Sequence, residues 1–372
     1  MKWEKIKFEK IVTLHRGYDL PVTKIEKGIY PVIFSNGRIE YHKEFKIKGP
    51  GIITGRSGSL GNVFYTENDF WPHNTTLYAS DFHNNHPKFL FYYLKTLNLS
   101  NFNAGSGVPT LNRNHLKNLE LCFPKDIKEQ RAIAKILSDL DEKIELNNQM
   151  NKTLEAMAQT IFKHWFVDFE SPNEKGKPYK SSGGKMVESE LGRIPEGWKV
   201  ARLCEFFQVR TGKKDANVAS NDGKYPFFTC SRESTLCNEY SFDGSAILLA
   251  GNGDFNIKWY RGKFEAYQRT YVLMPYNHHL LGFLYHLMKY FLNDITMGHR
   301  GSVINFITKG TIEEYSFVCP PEDLLKEFGN KFEKINEQIE DNNEEIEILA
   351  DIRDSLLPKL MSGKLMANQN IL

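Results

Sequence analysis

No stretch of this 372-residue chain approaches about 18 uninterrupted apolar residues, so no helix is expected to span a membrane. The first ten residues, MKWEKIKFEK, place charges where a secretory leader needs an apolar run. Cysteine is scarce and scattered. The five residues Cys122, Cys204, Cys230, Cys237 and Cys319 form no C-x-x-C pair and have no His or Cys partners at zinc spacing. They read as buried thiols of a protein in a reducing cytoplasm. The signatures H-E-x-x-H and G-x-S-x-G are missing, as is any paired-carboxylate motif. The run GRSGSLG at Gly55–Gly61 departs from both G-x-x-x-x-G-K-[ST] and G-x-G-x-x-G, which predicts a tight hairpin or bulge rather than a phosphate cradle. Asn252-Gly253-Asp254 predicts a turn before a metal site, and His278-His279 a loop ahead of a helix. The chain is expected to hold no catalytic constellation of its own.

Net charge is only +2, but it is unevenly spread. Residues 1–125 carry 17 Lys/Arg against 10 Asp/Glu, whereas 126–170 carry 6 against 9. Residues 190–320 carry 15 against 13, and 321–372 carry 6 against 12. Neutral-to-basic blocks thus alternate with acidic ones. The alternation coincides with an internal repeat, because DEKIELNNQ at Asp141–Gln149 returns as NEQIEDNNE at Asn336–Glu344, a shift of 195. The same shift sets Trp3 on Trp198, Gly17 on Gly212, Gly58 on Gly253 and Tyr65 on Tyr260. Such a period is far too long for a solenoid unit. It marks a duplicated domain followed each time by a helix.

Within each globular block, strand-length apolar runs such as Gly51–Thr54, Val63–Tyr65 and Ala246–Ala250 are bounded by turn residues. One helix is expected in each, at Pro87–Leu97 and Leu280–Leu292, so each block reads as mixed α/β (α+β). The acidic tracts carry mostly apolar seam positions at alternating spacings of four and three. In the first these are Ile133, Leu137, Leu140, Ile144, Asn147, Asn151, Leu154, Ala158, Ile161 and Trp165. In the second they are Phe328, Phe332, Ile335, Ile339, Asn342, Ile346, Leu349, Arg353, Leu356 and Leu360. Each seam extends roughly 48 Å as a helix. The compact solution is a long antiparallel two-helix coiled coil joining the two blocks, a pseudo-two-fold arrangement. Matching the seam ends places Asn151 opposite Asn342, a polar pair suited to fixing register.

A basic block with Tyr, His, Arg and Asn in glycine-rich loops suits nucleic acid, cations for phosphates and amides or guanidinium groups for base edges. The candidates in the first block are His15, Arg16, Asn36, Arg38, Arg56, Ser57, Ser59, Asn62, His73, Asn74 and Arg113. In the second they are Arg210, Lys213, Lys214, Ser231, Arg232, Asn252, Asp254, Asn256, Gln268, Arg269 and Arg300. Each singly could be a solvated loop residue. Together they show homologous loops with unlike side chains, Arg56 becoming Gly251 and Ser57 becoming Asn252, as two readers of different sequences would require. The acidic helices would repel a phosphate backbone, which leaves their outer faces for protein partners.

The order of block, helix, block, helix, together with the stretch PKDIKEQRAIAKILSDLDEKIELNNQMNKTLEAMAQTIFKHWFVDFE, the entry LGRIPEGWKV and the ending LLPKLMSGKL, resembles the specificity (S) subunits of type I restriction–modification systems. The resemblance covers essentially the whole chain. It implies target-recognition domains at 1–125 and 195–320, coiled-coil helices at 126–168 and 321–365, a linker at 169–194 and a tail at 366–372. It further implies a cytoplasmic, non-catalytic subunit in which each domain reads half of a bipartite double-stranded DNA target and the helices set the spacer. Two methyltransferase (M) subunits and the restriction/translocase (R) subunits would dock on it. S-adenosylmethionine, ATP and Mg²⁺ would belong to those partners, with no cofactor or metal bound by this chain. The docking surface is expected on the outward helix faces, with Gln130, Arg131, Lys135 and Phe162 among its residues. Two other readings remain open at this level. An enzyme in its own right would need the F-x-G-x-G and N/D-P-P-[Y/F] pair of a methyltransferase, which the sequence lacks. A two-ended coiled-coil scaffold without DNA specificity would show no salt-dependent affinity for duplex.

Overall fold

The computed structural model of the chain describes residues 3–105, 107–297 and 305–366. Two long helices, Ile127–Phe162 and Glu322–Met361, follow the two globular blocks. The chain divides into two compact units, one formed by the residues up to Asn148 with those from Asn343 onward, the other by Gln149–Asn342. The division passes through the middle of both long helices rather than at their ends. The reason is packing: each half-helix shares a core with the globular block beside it. Among the described residues, no helix is long and apolar enough to cross a membrane.

In the first unit, β1 (Trp3–Lys7) pairs antiparallel with β9 (Glu120–Pro124), bringing the block's start and end together. Between them lie two sheets. Strands β2 (Thr13–Arg16), β8 (Thr76–Asp81), β5 (Gly51–Gly55) and β6 (Val63–Thr66) form one, in that order. Strands β4 (Ile39–His42), β3 (Lys27–Ile33) and β7 (Trp71–Pro72) form the other, the β3–β7 pair being parallel. The helix Pro87–Thr96 begins with Pro at its first turn and His86 as its cap, and buries Phe89, Leu90, Tyr93 and Leu94. Its core is completed by Ile133 and Leu137 of the first long helix and by Leu360 and Met361 of the second.

The second unit repeats this plan. The pairing β12 (Lys199–Arg202) with β19 (Ser316–Cys319) corresponds to β1 with β9. The remaining strands fuse into one six-stranded sheet, ordered β13 (Phe207–Thr211), β18 (Thr270–Pro275), β16 (Phe242–Ala250), β17 (Ile257–Ala266), β14 (Tyr225–Phe228) and β15 (Thr235–Cys237). The parallel contact recurs, Val32 on Trp71 becoming Phe227 on Glu265. The matched glycines have a shared physical cause. A Cβ on Gly17 would lie 2.1 Å from the His73 carbonyl oxygen, and one on Gly212 would lie 1.9 Å from that of Ala266. Only glycine permits that approach.

Four details depart from the sequence reading. The linker carries a hairpin, β10 (Met186–Ser189) on β11 (Gly192–Pro195). His278 and His279 open a short 3-10 turn that runs into the helix Leu281–Tyr290. Of the five cysteines only Cys237 and Cys319 are buried; Cys204 and Cys230 are half-buried, and Cys122 is exposed because strand alternation in β9 gives the core position to Phe123. Gln130 and Phe162 do not face outward. The Gln130 side chain donates to Asn85 Oδ1 and to the Pro124 carbonyl, both at 2.8 Å, and accepts from the His86 amide at 2.8 Å. Phe162 lies among Phe166, Phe283 and Phe328. Arg131 and Lys135 are exposed.

Each unit also shows how the long helices pair. In the first, Arg353 Nη1 donates to Asp141 Oδ1 at 2.9 Å and Asn147 Nδ2 to Glu345 Oε2 at 2.8 Å. In the second, Asn342 meets Asn151, and the Trp165 and Phe328 rings lie 6.1 Å apart. Rising numbers on one helix face falling numbers on the other, which is antiparallel. Every seam residue inferred from spacing is buried or half-buried. That includes Leu140, Ile144, Leu154, Ile161, Ile335, Ile339, Ile346, Leu349 and Leu356.

Candidate nucleic-acid interface

The loop after β5 is pinned by its own backbone. The amides of Arg56 and Ser57 both donate to the Thr75 carbonyl, Gly58 N donates to Pro109 O at 3.0 Å, and Leu111 N to Arg56 O at 2.8 Å. The second unit rebuilds the frame. Gly251 N donates to Arg269 O at 2.8 Å, Gly253 N to Asn305 O at 2.9 Å, and Ile307 N to Gly251 O at 3.1 Å. Gly58 and Gly253 both adopt left-handed backbone, with φ of 88° and 75°. Isolated bridges repeat as well, Ser57 with Thr110 and Asn252 with Phe306. One backbone frame therefore presents two different sets of side chains.

In the first unit, Arg16 at the end of β2, Arg56 and Arg113 converge on a cleft of about 420 Å³ also lined by Thr110 and Asn112. Arg56 is half-buried with its Nε donating to the Asn74 carbonyl at 3.2 Å. Burial, reinforced by the charge of Arg16, lowers its pKa below the usual guanidinium value. Arg113 is held by a bond from Nη1 to the Leu14 carbonyl at 3.2 Å. Asp19 stands beside them, accepting from Asn74 Nδ2 and lying 3.9 Å from Arg16. His73 Nδ1 meets Thr75 Oγ1 at 3.0 Å with its ring 4.3 Å from Phe34, and burial lowers its pKa. His15 is exposed near Tyr78, Ser59 is half-buried, and the Asn62 carbonyl accepts from Thr54 Oγ1. Asn36 and Arg38 lie apart, in the β3–β4 turn, where Arg38 pairs with Glu40.

In the second unit a different cluster forms. Arg232 donates to Asp254 at 2.8 Å, and Asn256 Nδ2 donates to the Cys230 carbonyl at 2.8 Å. Lys258 bonds Asn256 Oδ1 at 2.7 Å and the Ser231 carbonyl. Burial lowers the Lys258 pKa. Arg210 folds onto Gln208, and Lys214 pairs with Glu239. Lys213, Gln268 and Arg269 are exposed. Arg300 lies outside the described residues. Asp19, Asn112 and Lys258 were missed by the sequence reading. Asn112 could have been found as the cap ahead of Arg113; Lys258 is one of several charged residues in β17 and gives no such signal.

A duplicated α/β frame whose loops differ in side chain but agree in backbone defines a two-site recognition protein. The chain belongs to the family described as type I restriction modification DNA specificity domain, whose model matches residues 1–156 and 195–349. It is similar to the type I restriction enzyme EcoDI specificity subunit of Escherichia coli, with 42% identity over 180 residues, 47% of this chain and 40% of that protein. It is also similar to the MjaIX specificity subunit of Methanocaldococcus jannaschii, with 28% identity over 310 residues, 76% of this chain and 70% of that one. Among solved structures, the type I restriction–modification S subunit of M. genitalium shares the fold, with a TM-score of 0.64 at 20% identity over 96% of both chains.

Proposed function

We propose that this chain is the sequence-specific DNA-binding specificity subunit of a type I restriction–modification complex, each unit reading one half of a bipartite duplex target. The observation that carries the reading is the duplicated loop frame, with Arg56 in one copy and Gly251 in the other on equivalent backbone bonds. Equal scaffolds with unequal side chains serve two unlike half-sites. The long helices set the separation of the half-sites and present acidic faces to two methyltransferase subunits and the restriction subunits. Methyl transfer, ATP hydrolysis and cleavage, with S-adenosylmethionine, ATP and Mg²⁺, are assigned to those partners, and the complex to the cytoplasm.

The test is a long-read methylome of a host carrying this chain with its methyltransferase partner, against a host lacking only this chain. A new adenine-methylated motif of two short half-sites around a fixed gap is expected. No new motif, despite co-purification of the two proteins, would overturn the reading in favour of a scaffold without DNA specificity.

A further inference from the structure

In the first unit three arginines, Arg16, Arg56 and Arg113, line one cleft beside the shared loop frame. The equivalent positions of the second unit are Thr211 at the end of β13, Gly251 after β16, and Lys309, which follows the capping Thr308 as Arg113 follows the capping Asn112. Lys309 is engaged by Glu313 at 3.3 Å. The two sets of side chains thus differ in chemistry while the backbone bonds of the loop frame agree.

Two features of the first cleft distinguish a base edge from a phosphate. Arg56 and Arg113 are each tied to a main-chain carbonyl, Asn74 and Leu14, which fixes the plane of the guanidinium fork before any ligand arrives. A fixed fork matches a pair of adjacent acceptors such as guanine O6 and N7, and loses little freedom on binding. The second feature is Asp19, in bonding contact with Asn74 and 3.9 Å from Arg16. A carboxylate beside the arginines repels a phosphate but accepts a hydrogen bond from cytosine N4, the donor that sits beside guanine O6 in the major groove.

We propose that the Arg16–Arg56–Arg113 cleft reads one G·C pair in the half-site recognised by the first unit, with Arg56 on the guanine O6/N7 edge and Asp19 on the cytosine amine. The inference rests on the DNA-reading function proposed above. At the three equivalent positions the second unit carries Thr211, Gly251 and Lys309 instead, so the reading is assigned to the first unit.

The test uses the whole chain co-expressed with its methyltransferase partner, as wild type, Arg56→Lys, Arg56→Ala and Asp19→Asn. The readouts are the methylome and methylation of a duplex panel altered at each half-site position. Wild type giving no bipartite motif would defeat the DNA reading itself, independently of the cleft. With a wild-type motif in hand, the expected result is that Arg56→Lys relaxes a single G·C position of one half-site by about 5- to 150-fold. Asp19→Asn relaxes the same position, and the other half-site stays intact as an internal folding control. Arg56→Lys retaining full specificity, while Arg56→Ala weakens all sequences alike with a shallower salt dependence, would identify a phosphate clamp and overturn the assignment. An unchanged motif in both Arg56 variants would overturn it as well.

Discussion

Asn342 Nδ2 donates to Asn151 Oδ1 at 2.7 Å, joining the two long helices at a seam position that Ile339 and Ile346 flank on the second helix. Asn342 is nearly inaccessible, and its own oxygen accepts from Gln338 at 3.1 Å. A buried amide pair of this kind is satisfied in one register only. Replacing Asn342 alone by Leu removes one partner of Asn151 and is expected to lower stability by about 1–3 kcal/mol. The double Leu variant recovers most of that loss, because neither member of the amide pair is left to satisfy and the exposed Gln338 turns to water. A thermal double-mutant cycle measures the coupling, and strictly additive effects would sink the pairing argument.

Asp141 answers two groups at once, accepting from Tyr92 Oη at 2.6 Å and from Arg353 Nη1 at 2.9 Å. Asp141→Ala leaves Tyr92 Oη without this acceptor and Arg353 with Asp354 alone, and is expected to cost about 1–3 kcal/mol. Asp139, in an exposed pair with Lys135, serves as the control at about 0.5 kcal/mol or less. Urea unfolding of the two variants ranks them, and equal losses would show the seam charge to be structurally idle.

His286 sits among Phe162, Phe328 and Phe332, its Nδ1 meeting Gln159 Oε1 at 3.0 Å. Burial, with the Lys289 charge adding to it, pushes its pKa down to about 3. The folded state therefore keeps the ring neutral while the unfolded chain takes up a proton near its ordinary value of about 6.5. Stability from this site is complete above about pH 6.5 and declines as pH falls toward 3, by up to about 1.4 kcal/mol per unit. His286→Leu lacks that term, so its stability difference from wild type should change across this window. Parallel pH profiles in urea titrations would refute the assignment.

Deleting one heptad from each long helix removes about 10.5 Å of each rod. On the proposed function, the gap between half-sites shortens by about three base pairs at 3.4 Å each while the half-sites themselves stay the same. Methylome motifs of the deletion variants read this directly. Altered half-sites around an unchanged gap would reverse the roles given to helices and loops.

Much of this was legible in the sequence. The 195-residue repeat, the helices Pro87–Thr96 and Leu281–Tyr290, and the spacing of the two seams follow from local rules of periodicity and turn chemistry. The Asn151–Asn342 contact was reachable too, because an antiparallel seam ties every position to one partner once its ends are matched. Matched glycines such as Gly17 and Gly212 signalled a common backbone, since close main-chain approach excludes every other residue.

Side-chain environment was not legible, for a physical reason. Whether Gln130 faces solvent or bridges Asn85 to Pro124, and whether Phe162 covers a partner or fills its own core, depends on which elements pack beside the helix. The helix's own spacing cannot tell. The same holds for the arginine cleft. Its residues come from a strand end, a hairpin loop and a capped short helix, and it is sheet pairing and backbone bonds across the fold that bring them together. Local periodicity determined the duplicated plan and the helix register, while the long-range hydrogen bonding of tertiary structure decided which polar side chains share a site and which are spent holding the fold.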